Sequence, residues 1–162
     1  MDRRTLIKLV AGGAGALAEL GSLTPVLAAE HLETLHKSDA EWKVLLTPQQ
    51  YRVLREEDTE PPFTSALNDE HRKGMFVCVA CEFPLFPSKF KFDSGTGWPS
   101  FFDALPNHLK TKTDHLLLLP RTEYHCARCG GHQGHVFNDG PKPTGLRYCN
   151  NGAALRFIPG GA

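Results

Sequence analysis

Two C-x-x-C pairs, with the 44 residues from 82 to 125 between them, constrain this chain more than any other feature. The pairs are Cys78–Cys81 and Cys126–Cys129. A tight turn of this spacing presents two sulfurs to one ion, and two such turns supply the four tetrahedral ligands that structural zinc prefers. The sequence therefore predicts one structural zinc ion that clips distant parts of the chain together and stabilises the fold by closing a long loop.

Two other uses of paired cysteines stay open at this point. Exported proteins often carry disulfides, and a single C-x-x-C pair can form a thioredoxin-like redox centre. The redox centre belongs in a strand–helix–strand context, which the pattern of short strands described next does not provide.

Short strands separated by turn residues indicate a mainly β fold with antiparallel sheets. The chain has 15 Gly and 12 Pro among 162 residues, and 41% of its residues are apolar, enough for one core. The predicted strands are Met75–Val79, Lys89–Phe92, His115–Leu119, Tyr124–Cys126, His135–Phe137, Arg147–Cys149 and Leu155–Ile158. One short N-terminal helix is predicted from a capping Thr47, followed by Pro48 and Gln50, and should end near Glu57.

The charge of the chain gives no indication of a binding partner. Lys plus Arg and Asp plus Glu both number 18, so no basic surface for nucleic acid or for a membrane is expected.

The first 28 residues have the pattern of a twin-arginine-type signal peptide. Arg3 and Arg4 precede a modest apolar stretch that ends in small residues at Ala28 and Ala29. The alternative, a membrane anchor, is disfavoured because Glu19 leaves fewer than the ~18 uninterrupted apolar residues that a span needs. We therefore predict export, to the periplasm, of a mature chain with a lead-in segment at 29–41 and a domain at 42–162.

The fifth cysteine, Cys149, lies outside both pairs. A lone cysteine can be a buried apolar residue, but His132 and His135 occur nearby, and strand alternation would place Arg147 on the same face as the thiol. Such groups lower the pKa of a thiol and make a nucleophile of it. The two histidines could also be turn residues or further metal ligands, although four cysteines already complete a zinc shell. A glycine-rich loop presents Trp98, either to the core or as one wall of an apolar pocket.

Several ordered motifs resemble the methionine-R-sulfoxide reductases of the B type. They are Gly97–Phe101, Cys129–Phe137, Asp139–Pro141, Pro143–Cys149, Glu60–Thr64 and both C-x-x-C pairs. The resemblance covers about Trp42 to Pro159. It implies a fold of two antiparallel sheets, zinc on the four paired cysteines, and reduction of oxidised methionine in proteins. We also predict that the enzyme is a monomer.

The resemblance also implies roles for single residues. Cys149 would be the nucleophile, Trp98 would pack on the substrate methyl group, and the sulfoxide oxygen would be hydrogen-bonded by three polar side chains: His132, His135 and Asn151. Three further residues would support the site, namely Phe137, Asp139 and Arg147. Attack of the thiolate would leave a sulfenic acid on the cysteine.

The chain departs from the family pattern at four positions. Thr96 occupies the place where many relatives have a resolving cysteine, so we predict direct reduction of the sulfenic acid by a thioredoxin-like partner or another external thiol. The remaining departures, at Gln133, Asn150 and Gly152, lie close to the site. Two other functions compete with this one: a non-catalytic zinc-binding interaction module, and a thiol–disulfide oxidoreductase that uses its C-x-x-C pairs.

Overall fold

The computed structural model describes residues 32–115 and 119–160. The predicted signal peptide and the first residues of the lead-in lie outside this part of the chain. Within the described ranges, no helix is both long and apolar enough to cross a membrane.

Two short helices begin the described fold, and each starts with a capping box. Helix α1 spans Asp39–Leu45 and helix α2 spans Pro48–Glu56. The side chain of Thr47 accepts from the backbone of Gln50, as the sequence predicts for α2. Helix α1 was not predicted, because its segment was interpreted as part of the lead-in.

In the part of the chain that the structure describes, nine strands form two antiparallel sheets. A three-stranded sheet has the order β2-β1-β9 and a six-stranded sheet has the order β3-β4-β8-β7-β6-β5. Their bounds are β1 Gly74–Cys78, β2 Pro84–Pro87, β3 Lys91–Phe92, β4 Ser100–Phe101, β5 Leu109–Asp114, β6 Arg121–Cys126, β7 His132–Phe137, β8 Arg147–Asn150 and β9 Leu155–Pro159. The predicted mainly β class with two antiparallel sheets is confirmed.

One strand lies elsewhere than predicted. The prediction at His115–Leu119 followed an apolar run, but β5 ends at Asp114, and His115 and Leu119 have no strand conformation. The reason is pairing: six consecutive residues of β5 are in register with β6, from Leu109 opposite Cys126 onward. Cross-strand partners set this strand, rather than local apolar content.

Aromatic residues from both sheets form the core between them. Phe86 of β2 stacks on Phe101 of β4 with ring centroids 4.2 Å apart, and Phe76 of β1 meets Phe101 edge-on at 5.0 Å. All three rings are fully buried, and each contributes about 1.5–3 kcal/mol by its burial. This contact fixes β4, and β4 pairs with β8, the strand that carries Cys149.

Candidate active site and metal centre

The four paired cysteines form one buried cluster. Their ligand atoms lie within 4.8 Å of one another. The Sγ atoms of Cys78 and Cys129 are 3.7 Å apart, and those of Cys81 and Cys126 are 3.6 Å apart. A disulfide needs about 2.05 Å, whereas four sulfurs about 2.3 Å from one ion are separated by about 3.8 Å along the edges of a tetrahedron. The distances fit a shared metal ion, and all five cysteines are free.

Two turns of the same shape present these sulfurs. Each pair begins with the last residue of a strand, Cys78 of β1 or Cys126 of β6. The backbone N–H four residues later, at Glu82 or Gly130, donates back to the carbonyl of that first cysteine. Both later residues have positive φ, 58° at Glu82 and 69° at Gly130. Each turn therefore reverses direction tightly enough to bring its second cysteine beside the first.

Without a cation, the crowding of four thiols favours the protonated form of Cys78. A hydrogen bond with Cys126, followed by one with Cys129, raises the pKa of Cys78 well above its ordinary value. Thiols bind metal as thiolates, and only a cation allows so many of them to share one site.

Cys149 lies at the centre of the six-stranded sheet. It is directly opposite Ser100 of β4 on one side and His135 of β7 on the other. The same register continues from His135 to Glu123 of β6 and then to Lys112 of β5. The sheet therefore sets the thiol in a row of polar side chains that come from five strands.

A cavity of about 110 Å³ opens at this thiol. Five of the predicted site residues line it together: Trp98, His135, Phe137, Cys149 and Asn151. Four other residues that the sequence did not single out for this purpose also line it: Thr59, Arg121, Gly134 and Asn150.

The thiol of Cys149 is half-buried, and its burial favours the protonated form. Burial raises its pKa above the ordinary value, while a hydrogen bond from Thr96 and the charge of Arg147 act in the opposite direction. The Thr96 hydroxyl lies 4.0 Å from the sulfur. Strand alternation predicted that Arg147 shares the face of Cys149, and its effect on the thiol agrees with this.

Arg147 is held in place from two sides. Its guanidinium donates two hydrogen bonds of 2.8 Å to the carboxylate of Asp139 and lies 4.4 Å from the ring centroid of Phe137. A bidentate pair of this kind fixes the orientation of the guanidinium. These three residues thus form one unit at the edge of the cavity, although only Phe137 lines it.

The two histidines occupy different surroundings. His135 lines the cavity, and its Nε2 lies 2.8 Å from Asp114. Burial lowers its pKa, partly offset by that hydrogen bond. His132 does not line the Cys149 cavity. It is buried 5.6 Å from His135 (ring centroids), with Nδ1 2.8 Å from Glu123 and with Nε2 lacking a hydrogen-bond partner.

Trp98 and Asn151 face the cavity from separate parts of the chain, and Glu60 connects them. The indole N–H of Trp98 donates to the carbonyl of Glu60 at 3.0 Å. The side-chain oxygen of Asn151 accepts from the backbone N–H of Glu60 at 3.1 Å, and its amide donates to the carbonyl of Gln133 at 3.1 Å. The sequence showed no sign of these bonds, since they join positions up to 91 residues apart.

Two unusual residues of the sequence, Gln133 and Asn150, contact each other in the core. Asn150 donates to the side-chain oxygen of Gln133 at 3.5 Å and accepts from the Tyr124 hydroxyl at 2.8 Å. Gln133 in turn donates to the sulfur of Cys78 at 3.5 Å. These buried amides connect the metal cluster with the strand of the nucleophile.

Comparison with known proteins gives a consistent result. Residues 46–159 match the SelR domain family. The chain is 54% identical to the peptide methionine sulfoxide reductase MsrB of Thiobacillus denitrificans, over 76% of this chain and 94% of that protein. Its identity to the MsrB of Agrobacterium fabrum is 52%, over 77% and 93%. Identity to the MsrB of Leptospira interrogans is also 52%, over 76% and 95%.

Among solved structures, a Mis18 'Yippee-like' domain shares 20% identity, covering 56% of this chain and 100% of that one. The TM-score of this match is 0.44. The family match covers most of the chain, and the sequence relatives are covered almost end to end. The chain therefore belongs to the SelR domain family, that of the B-type methionine sulfoxide reductases.

Proposed function

We propose that this protein reduces methionine-R-sulfoxide in other proteins to methionine, with Cys149 as the nucleophile. One observation carries the proposal: in a chain of this family, a half-buried thiol opens into a small cavity that is lined by an indole, an imidazole and an amide. Apolar and polar walls around one reactive sulfur suit a substrate with a methyl group and an oxygen on the same sulfur atom.

The reaction transfers one oxygen atom between two sulfurs. The sulfur of Cys149 attacks the sulfoxide sulfur, and the thiol proton reaches the sulfoxide oxygen through His135, which accepts it from the thiol and donates it at that oxygen. The oxygen then transfers from the substrate sulfur to the sulfur of Cys149: the sulfur–oxygen bond of the substrate and the new sulfur–sulfur bond both break, and methionine leaves, reduced by two electrons. The oxygen stays on Cys149 as sulfenic acid, so that the cysteine is oxidised by the same two electrons.

The resting protonation state agrees with this order of events. Because burial raises the pKa of Cys149, the thiol keeps its proton until a substrate arrives. A sulfoxide oxygen near His135 then provides a place for the proton, and Arg147 favours the thiolate as it forms. An idle nucleophile is thereby kept in its less reactive form.

The remaining roles follow from position. Trp98 offers its ring face to the substrate methyl group, and Asn151 has one amide hydrogen left for the sulfoxide oxygen after its bond to Gln133. His132 acts from the neighbouring buried position through water, since its free Nε2 needs a partner. The bidentate pair of Arg147 and Asp139 supports the site from its edge.

An external thiol completes the cycle. Two equivalents of thiol convert the sulfenic acid to a thiol and water, and form one disulfide of the reductant. Thr96 is the residue beside the sulfur, and the four other cysteines are gathered in their own cluster. We therefore propose a thioredoxin-like partner or a small thiol as the reductant.

We propose zinc as the metal of the cysteine cluster. The donor set of four sulfurs, their spacing near that of a tetrahedral ion and their burial fit zinc. Zinc there supplies no redox chemistry. Its role is to join the β1 turn to the β6 turn, and so the two sheets to each other.

An assay with both sulfoxide epimers tests the function. Peptides that contain methionine-R- or methionine-S-sulfoxide are incubated with the protein and dithiothreitol, and methionine is quantified. We expect turnover of the R form and its loss in Cys149→Ser. Equal turnover in the variant, or no turnover of the R form by the intact chain, would contradict the proposal and favour a zinc-binding interaction module.

We further propose export to the periplasm on the strength of Arg3 and Arg4. Cell fractionation of the full chain and of an Arg3→Lys, Arg4→Lys variant checks this. The variant should accumulate in the cytoplasm, and unchanged export would argue against the twin-arginine route.

A further inference from the structure

The segment from Glu60 to Thr64 has no part in the chemistry above, yet its first residue is almost completely buried beside the cavity. Glu60 is 5% exposed, an unusual environment for a carboxylate. It follows α2 in the chain and lies between two walls of the cavity, those formed by Trp98 and Asn151. A buried acid in such a place requires a reason.

The main chain of Glu60 bonds to both walls. Its carbonyl accepts from the Trp98 indole at 3.0 Å, and its N–H donates to the Asn151 side chain at 3.1 Å. Trp98 and Asn151 line the same cavity as the Cys149 sulfur. The backbone of Glu60 alone therefore joins the Trp98 indole to the Asn151 amide and sets the distance between them.

A second bond strengthens the hold on the tryptophan loop. The N–H of Phe63 donates to the carbonyl of Gly97 at 2.7 Å. The contact is so close that a Cβ on Gly97, whose φ is +91°, would lie 2.8 Å from that same nitrogen. The segment after Glu60 thus also fixes the residue immediately before Trp98.

The carboxylate of Glu60 anchors this arrangement from the other direction. It accepts from the backbone N–H groups of Gly152 and Ala153, the latter at 2.9 Å. These residues open the short 3-10 helix that directly follows Asn151. One side chain therefore ties residue 60 to the chain just after the amide wall, and two charge-assisted bonds are stronger than neutral ones.

From this geometry we infer that Glu60 is a positioning residue that sets the distance between Trp98 and Asn151, and through it the preference for one sulfoxide epimer. The inference rests on the proposed function. The R and S epimers have opposite handed arrangements of the methyl group, the oxygen and the side chain around the sulfur, so an apolar and a polar wall held at fixed positions relative to the attacking Cys149 sulfur accept only one of them. A displacement of either wall weakens binding of the R epimer and reduces discrimination against the S epimer.

The test compares Glu60→Gln with Glu60→Asp in the full chain. Glutamine offers one acceptor oxygen and turns an NH₂ group toward the second backbone N–H, whereas aspartate keeps both acceptors with a shorter reach. Glu56→Gln is the matched control, because Glu56 is an exposed carboxyl on α2 outside the site. For each protein, KM and kcat are measured with R-sulfoxide peptide, and kcat/KM with S-sulfoxide peptide.

We expect Glu60→Gln to raise KM for the R form by about tenfold and to lower kcat/KM by up to about a hundredfold. The ratio of R to S turnover should also fall, and Glu60→Asp should recover part of each loss. Alkylation of Cys149 by iodoacetamide should keep its rate, since the nucleophile itself is untouched.

The readouts separate positioning from simple loss of folded protein. KM and the R-to-S ratio do not depend on the folded fraction, so they remain informative for a poorly folding variant. Unchanged KM and ratio in both Glu60 variants, relative to Glu56→Gln, would overturn the inference while leaving the proposed function intact. An intact chain that turns over neither epimer would instead refute the proposed function.

Discussion

The four clustered cysteines and Cys149 are the same side chain in two opposite situations. The four are at most 9% exposed, lie at tight turns, and each has another sulfur of the cluster within 3.7 Å. Cys149 lies mid-sheet on β8, opens into a cavity, and has a hydroxyl and a guanidinium beside it. The groups beside a cysteine and its accessibility to substrate, rather than the residue type, therefore decide whether its sulfur is structural or reactive.

The largest effect is expected when one cysteine of the metal cluster is replaced and the result is compared with replacement of Cys149. Cys126→Ser removes a metal ligand, and structural zinc contributes about 10–16 kcal/mol in small metal-dependent domains, comparable with the whole stability of about 5–15 kcal/mol of a typical protein. We expect this variant to lose zinc and its cooperative thermal transition. Metal analysis and circular dichroism measure both.

Cys149→Ser is the matched control for that experiment. The same exchange of sulfur for oxygen outside the cluster should leave one zinc per chain and a thermal transition close to that of the intact protein, while turnover disappears. A Cys126→Ser protein that kept its zinc, its thermal transition and its activity would break the comparison, since the cluster would then not be needed for the fold.

A second prediction concerns a new cysteine introduced beside Cys149. Thr96→Cys places a thiol where a hydroxyl now lies 4.0 Å from Cys149, in a loop with a glycine on each side, Gly95 and Gly97, both at positive φ. A small loop adjustment brings two sulfurs to bonding distance. After one turnover without reductant, this variant should contain a disulfide.

Mass spectrometry of the oxidised product distinguishes the outcomes. The intact chain and a Thr96→Ser control should carry one extra oxygen, and Thr96→Cys should instead lose two hydrogens. A disulfide that joins Cys149 to one of the clustered cysteines in the intact chain would show that the two groups of sulfurs are not separate.

Helix α2 and the metal cluster were the parts most readily predicted, because their signals are local. A threonine, a proline and a glutamine within four residues begin α2, and two three-residue spacings define the cluster. Helix α1 was missed although Ser38 and Glu41 form a capping box of the same kind. Its signal was present in the sequence but was outweighed by the polar character of the segment.

The fine structure of the active site was beyond the sequence for a different reason. Cys149, Trp98 and His135 stand in recognisable motifs and were predicted to meet. Glu60 and Arg121 reach the same cavity or its walls only through the pairing of distant strands and loops. Sequence spacing carries no information on contacts between positions about ninety residues apart, such as Glu60 with Asn151.

A third prediction concerns the pH at which Cys149 becomes reactive. A thiolate alkylates and a thiol does not, so the rate with iodoacetamide should rise with pH through the raised pKa. Because burial moves this pKa above its ordinary value, the profile should lie at higher pH than that of N-acetylcysteine amide, which lacks a free carboxylate, measured in parallel.

Arg147→Gln sharpens this measurement. Loss of the nearby positive charge should move the profile further toward high pH, so that alkylation at pH 8 slows by a few-fold. A profile at lower pH than that of the free thiol would contradict the view that burial dominates the resting site.

The smallest effect is expected between the two regions, at Gln133. Its amide touches both Cys78 and Asn150, but each contact is 3.5 Å long, and Asn150 keeps shorter bonds to Tyr124 and to the carbonyl of Asn151. Gln133→Leu fills a similar volume and should change the free energy of unfolding by only about 1 kcal/mol, with zinc content and kcat nearly unchanged. Asn150→Leu is the contrasting variant: it strands the buried Tyr124 hydroxyl and should cost about 1–3 kcal/mol. If Gln133→Leu instead reduced both zinc retention and turnover several-fold, the buried amides would couple the two sulfur regions, and their independence would have to be abandoned.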